Sequence, residues 1–258
     1  MVGDIFNFIF PEKNICFLCE DYGKDIKGNL CWVCKSKLVF IAECSCSICG
    51  RKIDREYELD EVDGINNIQT RIMKCRECIK HPHFFTKSVS PLSYEGDIKR
   101  AIYDFKYNGK HHLYKLFGKL MVKSIVDNDL EYVDIIVPIP LHKDREKRRG
   151  FNQATLLSKY ISKDLKVNLV TNNLIRSKKT KALNQLDRAE RMKNILGVFD
   201  IKDKSIFIQK KILLVDDIYT TGTTVDECAK LLLDNGAKEV FVVTLAVTPS
   251  KPKSEIIN

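Results

Sequence analysis

The apolar residues of this chain gather in short runs that stop abruptly at polar stretches. Ile212, Leu213, Leu214 and Val215 are apolar at every position instead of every second one, which marks a strand buried on both faces and therefore a parallel sheet. Beyond a polar interval, Val225, Cys228, Ala229 and Leu232 recur at helical spacing until Asn235 and Gly236 supply a stop. A second unit of the same kind starts with a strand at residues 133–137, passes two prolines and a basic loop, and enters a helix near Asn152. Strand, loop and helix in repeated succession predict an α/β fold. Residues 176–194 have no clean apolar period until Leu183 and Leu186, and read as a mobile loop running into a short helix. The opening "MVGDIFNFIF" is interrupted by Asp4 and Asn7 and lacks a basic leader, so Phe6, Ile9 and Phe10 are expected in the core and neither a signal peptide nor a membrane span is predicted.

Chemistry enters where the first run stops. In "LLVDDIYTTGTT" the strand meets Asp216 and Asp217, then Thr220, Thr221, Gly222, Thr223 and Thr224 lead into the helix. Backbone N–H groups at a helix N-terminus lack partners and the macrodipole is positive there, while Gly222 permits close approach to the backbone. The loop suits a phosphate, but the two carboxylates would repel a bare one beside them. Ribose hydroxyls and a hard divalent cation such as magnesium suit that acidic end, and with the phosphate they describe a ribose 5-phosphate. A plain helix N-cap cluster would account for the threonines alone. The stretch resembles the phosphoribosyl pyrophosphate (PRPP) loop of the type I phosphoribosyltransferase fold. That resemblance implies Asp216 and Asp217 on the ribose 2- and 3-hydroxyls, with magnesium nearby, and Thr220 to Thr224 around the 5-phosphate. Purine-salvage members carry an acid where this chain has Thr220, so the resemblance argues against purine salvage.

The cysteines divide the chain of 258 residues in two. Cys16 and Cys19, Cys31 and Cys34, Cys46 and Cys49, and Cys75 and Cys78 form four C-x2-C pairs. Thiols in a chain read as cytoplasmic are better explained by metal than by disulfides. Eight thiolates make two structural zinc sites of four sulfurs each, closed to water. Sequence order joins the first two pairs and the last two, and a crossed arrangement satisfies the same count. Cys44 is a spare thiol beside the third pair, Cys228 falls on the apolar face of a helix, and His81 or His83 would be needed only if a sulfur were replaced. Residues 1–90 are read as a Cys-rich zinc module and residues 91–258 as the α/β domain.

Charge separates the two parts again. Residues 1–90 hold 13 basic and 13 acidic side chains, so the formal net charge of +9 belongs to the remainder. Residues 142–193 alone hold 15 basic and 5 acidic side chains, a net of +10. With zinc thiolates formed, the N-terminal part falls to about −4, which directs an acidic ligand such as single-stranded DNA to the basic segment. In the phosphoribosyltransferase fold the corresponding loop resembles a pyrophosphate cradle, which here would comprise Lys143, Arg145, Arg148, Arg149 and Gly150. Gln185, Arg188, Arg191 and Asn194 share a helix face where that fold places the flap that closes over PRPP.

Taken in order, the cysteine pairs, "YEGDIKRAIYDFKYNG", "VPIPLHKDREKRRGFNQA", "ALNQLDRAERMKN" and "LLVDDIYTTGTT" make the chain similar to the ComF family of competence proteins. The resemblance implies a type I phosphoribosyltransferase-like parallel sheet behind an N-terminal zinc module, and a cytoplasmic role in DNA uptake during natural transformation alongside a helicase-like partner. PRPP with magnesium, and incoming single-stranded DNA, are the expected ligands. The alternative is a working phosphoribosyltransferase that transfers phosphoribosyl from PRPP to a small base or amine. Phe105, Tyr107 and Phe151 could stack such a base and are more simply core.

Overall fold

The computed structural model describes residues 15–23, 25–41, 45–53, 59–60, 72–177 and 196–250. Cys44, the proposed flap residues Gln185, Arg188, Arg191 and Asn194, and the opening segment with Phe6, Ile9 and Phe10 lie outside them.

In chain order the elements begin with α1 (Trp32–Ser36), β1 (Leu59–Asp60), β2 (Ile72–Met73) and α2 (Arg76–Lys80). The sheet then starts with β3 (Lys87–Val89) and β4 (Leu92–Ser93), followed by α3 (Asp97–Tyr107), α4 (Leu113–Val126) and β5 (Ile135–Pro138). Next come α5 (Lys143–Arg149), α6 (Gln153–Leu165), β6 (Asn168–Leu169), β7 (Leu174–Arg176) and β8 (Phe199–Ile201). The last described elements are β9 (Lys211–Tyr219), α7 (Thr223–Asp234) and β10 (Glu239–Val247).

The main sheet has the order β3-β10-β9-β5-β6, with β4 also on β10, and every pairing in it is parallel. Its faces explain the unbroken apolar run. Ile212 and Leu214 enter one core with Ile135 and Val137, whereas Leu213 and Val215 enter the other with Ile136. Both faces are covered, so the pleat sends alternate residues into separate cores and leaves no polar position. Leu213 is fully buried, and Leu213→Ala would cost about 2–5 kcal/mol. Helices α3, α4 and α6 cover one face. On the other lie α7, the antiparallel β7–β8 pair and the second cysteine quartet.

Several boundaries differ from the expectation: the strand expected at 133–137 is β5, Ile135–Pro138, and Arg176, expected to open a mobile loop, ends β7 by pairing with Phe199. The strand does not stop before the carboxylates: β9 runs on to Tyr219, because β10 pairs with it in register from Lys211 to Tyr219, including Thr244 beside Asp216. The basic stretch expected as a loop is helix α5. His142 Nδ1 accepts from the Asp144 N–H, Asp144 and Glu146 occupy the first turn, Lys147, Arg148 and Arg149 the last, and Gly150 closes it at φ 83°. Charges so ordered complement the helix dipole and hold a helix that has no buried face. The helix expected near Asn152 is α6, where the Asn152 side chain accepts from the Ala154 N–H and donates to the Ile139 carbonyl. That bond ties the start of α6 to the end of β5.

Candidate phosphate and metal sites

The loop from Thr220 to Gly222 joins β9 to α7 at the C-terminal edge of the sheet, the side on which open α/β sheets present their ligand crevice. Gly222 has φ 79° and caps α7; a Cβ there would collide with the Tyr219 hydroxyl and press on His83. Glycine is thus required both by backbone conformation and by space. Thr221 Oγ1 and Thr223 Oγ1 lie 2.8 Å apart. The Thr220 carbonyl accepts from Arg51 Nη2 at 2.8 Å and Thr248 Oγ1 at 3.1 Å.

Because Asp216 and Asp217 sit within a strand, the pleat aims them to opposite faces. Asp217 Oδ1 accepts from Lys106 Nζ at 2.8 Å, both side chains being largely buried. Asp216 stands on the other side, in the field of Arg176. Burial, reinforced by the neighbouring Asp217 carboxylate, pushes Asp216 up to about 7, while the Asp217 N–H, Lys106 and Arg176 pull against it. Arg176, at the end of β7, is itself buried against the Phe199 ring, and burial together with Arg145 lowers its pKa. Arg145 is lowered in turn by burial and by Arg149. Arg149 donates to Gln153 Oε1 at 2.9 Å and to the Tyr107 hydroxyl at 2.6 Å. The arrangement sets two carboxylates and a helix N-terminus against half-buried guanidinium groups, so it can engage hydroxyls and anions of one ligand together.

Of the residues singled out from the sequence, the structure sets Asp216, Asp217 and Thr220 to Thr224 along one strand end and the turn after it, while Arg145 and Arg149 connect to them only in steps, Arg149 beside Arg145, Arg145 beside Arg176 and Arg176 beside Asp216. Lys143, Arg148 and Gly150 are on the exposed side of α5. Lys106, Arg176 and Arg51 were not among the expected site residues. Lys106 carried one faint signal, a lysine between Phe105 and Tyr107 at the margin of an amphipathic helix, whereas Arg51 reaches the loop from 169 residues away. Cys228 is fully buried in the core, as its helical position implied.

The cysteines gather as two quartets, Cys16, Cys19, Cys31 and Cys34, and Cys46, Cys49, Cys75 and Cys78, with the sulfurs of each within 4.8 Å of one another. The pairs therefore join in sequence order. Each quartet contains a knuckle closed by a left-handed residue, Glu20 at φ 64° and Gly50 at φ 67°, whose N–H donates to the carbonyl of Cys16 or Cys46. Four sulfurs converging on one point are the donor set of a closed tetrahedral zinc site. The two sites differ in setting. The first is open, with Cys19 exposed and Trp32 and Val33 projecting beside it. The second is wholly buried and belongs to the same core as Phe85, Tyr219, Val225 and Val247. His83 is not a ligand: it stacks on Phe85, with its ring 3.4 Å from both the Tyr219 hydroxyl and Asp226 Oδ1.

Parallel sheet, acidic strand end and threonine loop define a phosphoribosyltransferase-type domain behind a zinc module, and comparison with known families agrees. The phosphoribosyl transferase domain family matches residues 121–257 and the double zinc ribbon domain family residues 5–79; the chain belongs to the phosphoribosyl transferase domain family. More particularly, it is a member of the ComF family. The DNA utilization protein YhgH of Escherichia coli strain K12 is 28% identical, over 85% of this chain and 97% of its own. Competence protein F of Haemophilus influenzae is 29% identical, over 84% and 96%. Competence protein ComFC of Bacillus subtilis strain 168 is 28% identical, over 87% and 91%. No helix among the described residues is long and apolar enough to cross a membrane.

Proposed function

We propose that this chain is a cytoplasmic competence factor in DNA uptake, binding PRPP with magnesium at the end of β9 and single-stranded DNA along the basic segment that begins with α5. The observation that carries the reading is the convergence of Asp216, Asp217 and the Thr220–Thr224 loop with Arg145, Arg149 and Arg176 at one edge of the sheet. A ribose bearing phosphate at one end and pyrophosphate at the other needs hydroxyl acceptors flanked by anion sites, and an acidic strand end with a threonine loop after it and guanidinium groups nearby supports that reading. Magnesium, when bound, neutralises pyrophosphate charge. The chain's own residues orient the sugar and receive the 5-phosphate. The relatives' roles in competence and DNA utilization support the biological setting. Residues 1–90 would serve as the zinc-binding scaffold or docking module, open to a helicase-like partner, and residues 91–258 as the ligand-binding domain.

Calorimetry with PRPP and magnesium tests the site. Asp216→Asn with Asp217→Asn should weaken PRPP strongly and inorganic phosphate little, and equal PRPP affinity for variant and wild type would refute the ribose assignment. Transfer of phosphoribosyl to an acceptor is the second reading, favoured by guanidinium groups already held half-buried where pyrophosphate would depart. Pyrophosphate release on adding acceptors distinguishes it from binding alone.

A further inference from the structure

We infer that Tyr103 and Tyr107 form a nucleobase-stacking platform for single-stranded DNA at the edge of the proposed PRPP site. The inference rests on the strand-binding reading above and assigns its base-contacting surface. The two tyrosines are one helical turn apart on α3 and share a face. Phe105, between them, is fully buried, but Tyr103 and Tyr107 are 57% and 54% exposed. Their centroids are 4.9 Å apart with ring planes tilted by 45°, so the pair is not closed into a stack and both rings stay more than half exposed. Tyr107 is not free to swing: Arg149 Nη2 donates to its hydroxyl at 2.6 Å, and the guanidinium carbon lies 4.7 Å from its ring centroid. Gln153 holds the other arm of Arg149 at 2.9 Å. An exposed tyrosine held in this way is pre-organised for a flat ligand.

Charge selects the occupant. Lys143, Lys147 and Arg148 are exposed on the same helix that carries Arg149, so a phosphate track runs beside the rings. Aromatic faces beside a cationic track are what a single strand uses, with bases on the rings and phosphates on the side chains. An acidic partner protein would take the charges and leave the exposed rings without a role. A duplex keeps its bases stacked on one another and offers none to the platform. Lys106, next to Tyr107, is held by Asp217, which puts the platform directly beside the proposed ribose site.

The test uses the full zinc-loaded chain. Fluorescence anisotropy compares a short oligothymidine with an abasic strand of equal length at several salt concentrations. Wild type should prefer the oligothymidine. Tyr103→Ala should weaken oligothymidine by about tenfold, the effect of losing one stacked base, and leave the abasic strand and both salt slopes unchanged. Tyr103→Phe, which keeps the ring, should bind as wild type does, and matching circular dichroism melts would show that the alanine variant is folded. Strand binding that is equal for wild type, Tyr103→Ala and Tyr103→Ala with Tyr107→Leu would overturn the platform and leave the strand-binding reading standing. Failure of wild type to bind either strand would overturn both. Displacement of the oligothymidine by free thymidine at about millimolar concentration would reassign the rings to a lone base and overturn the strand assignment.

Discussion

Asp216→Asn should stabilise the protein at alkaline pH while removing a ligand contact. Burial and the adjacent Asp217 carboxylate push Asp216 from an ordinary 3.8 up to about 7, so the folded chain keeps a proton there that the unfolded chain has released. Between about pH 4 and 7 the unfolded state thus binds fewer protons, and stability falls as pH rises through that window. Across the whole interval the penalty approaches about 4 kcal/mol. Partial access of water reduces what a measurement would record. Asparagine carries no charge in either state and mimics the protonated acid. Between about pH 5.5 and 8.5, urea denaturation should show the variant gaining about 1–2 kcal/mol over wild type. Zinc thiolates are common to both proteins and cancel in the difference. PRPP affinity of the same variant should fall, most visibly above pH 7, where the wild-type carboxylate is ionised. A stability difference that stays flat across the pH range would refute the argument, because it would mean that Asp216 ionises alike in both states.

Three further outcomes follow from the geometry. Arg51→Ala removes the shorter of the two hydrogen bonds to the Thr220 carbonyl; it should accelerate hydrogen exchange around residues 219–225 and weaken PRPP several-fold, and unchanged exchange there would show that the loop holds without Arg51. Elemental analysis should give about two zinc ions per chain, and Cys75→Ser should lower the melting temperature of the whole protein more than Cys16→Ser, because all four sulfurs of the second quartet are buried in its core whereas the first buries only Cys16. Arg148→Ala should reduce the log-log salt slope of single-strand binding by about 0.7 for one lost phosphate contact, without the discrimination between bases and abasic strand that Tyr103 controls.

What could be read from the sequence was local. The apolar run 212–215 and the helical spacing from Val225 to Leu232 specify strand and helix, and each C-x2-C pair specifies a knuckle. The extension of β9 through Asp216, Asp217 and Tyr219 was hidden because β10 imposes it by pairing, and carboxylates have no strand preference of their own. Helix α5 escaped because amphipathic periodicity was the criterion, and a helix with no buried residue has none. Its end charges and Gly150 were the available signal. The joining of the cysteine pairs, left open by counting, is settled by the folded positions of the sulfurs. Lys106, Arg51 and Arg176 come to the site from separate parts of the chain, and only tertiary structure makes them neighbours of the carboxylates.

The strand order has a consequence for biosynthesis. Strand β3 (Lys87–Val89) emerges early from the ribosome, yet its partner in the sheet is β10 (Glu239–Val247), the last strand among the described residues. Both cysteine quartets are complete by residue 78, so each can collect its metal while the sheet is still missing. The apolar shell of the second quartet, with Tyr219, Val225 and Val247, arrives only with the final segment. A nascent chain that stalls before β10 therefore carries two gathered cysteine quartets whose cores still lack the β10 side chains, and leaves β9 as an open edge able to pair with another chain.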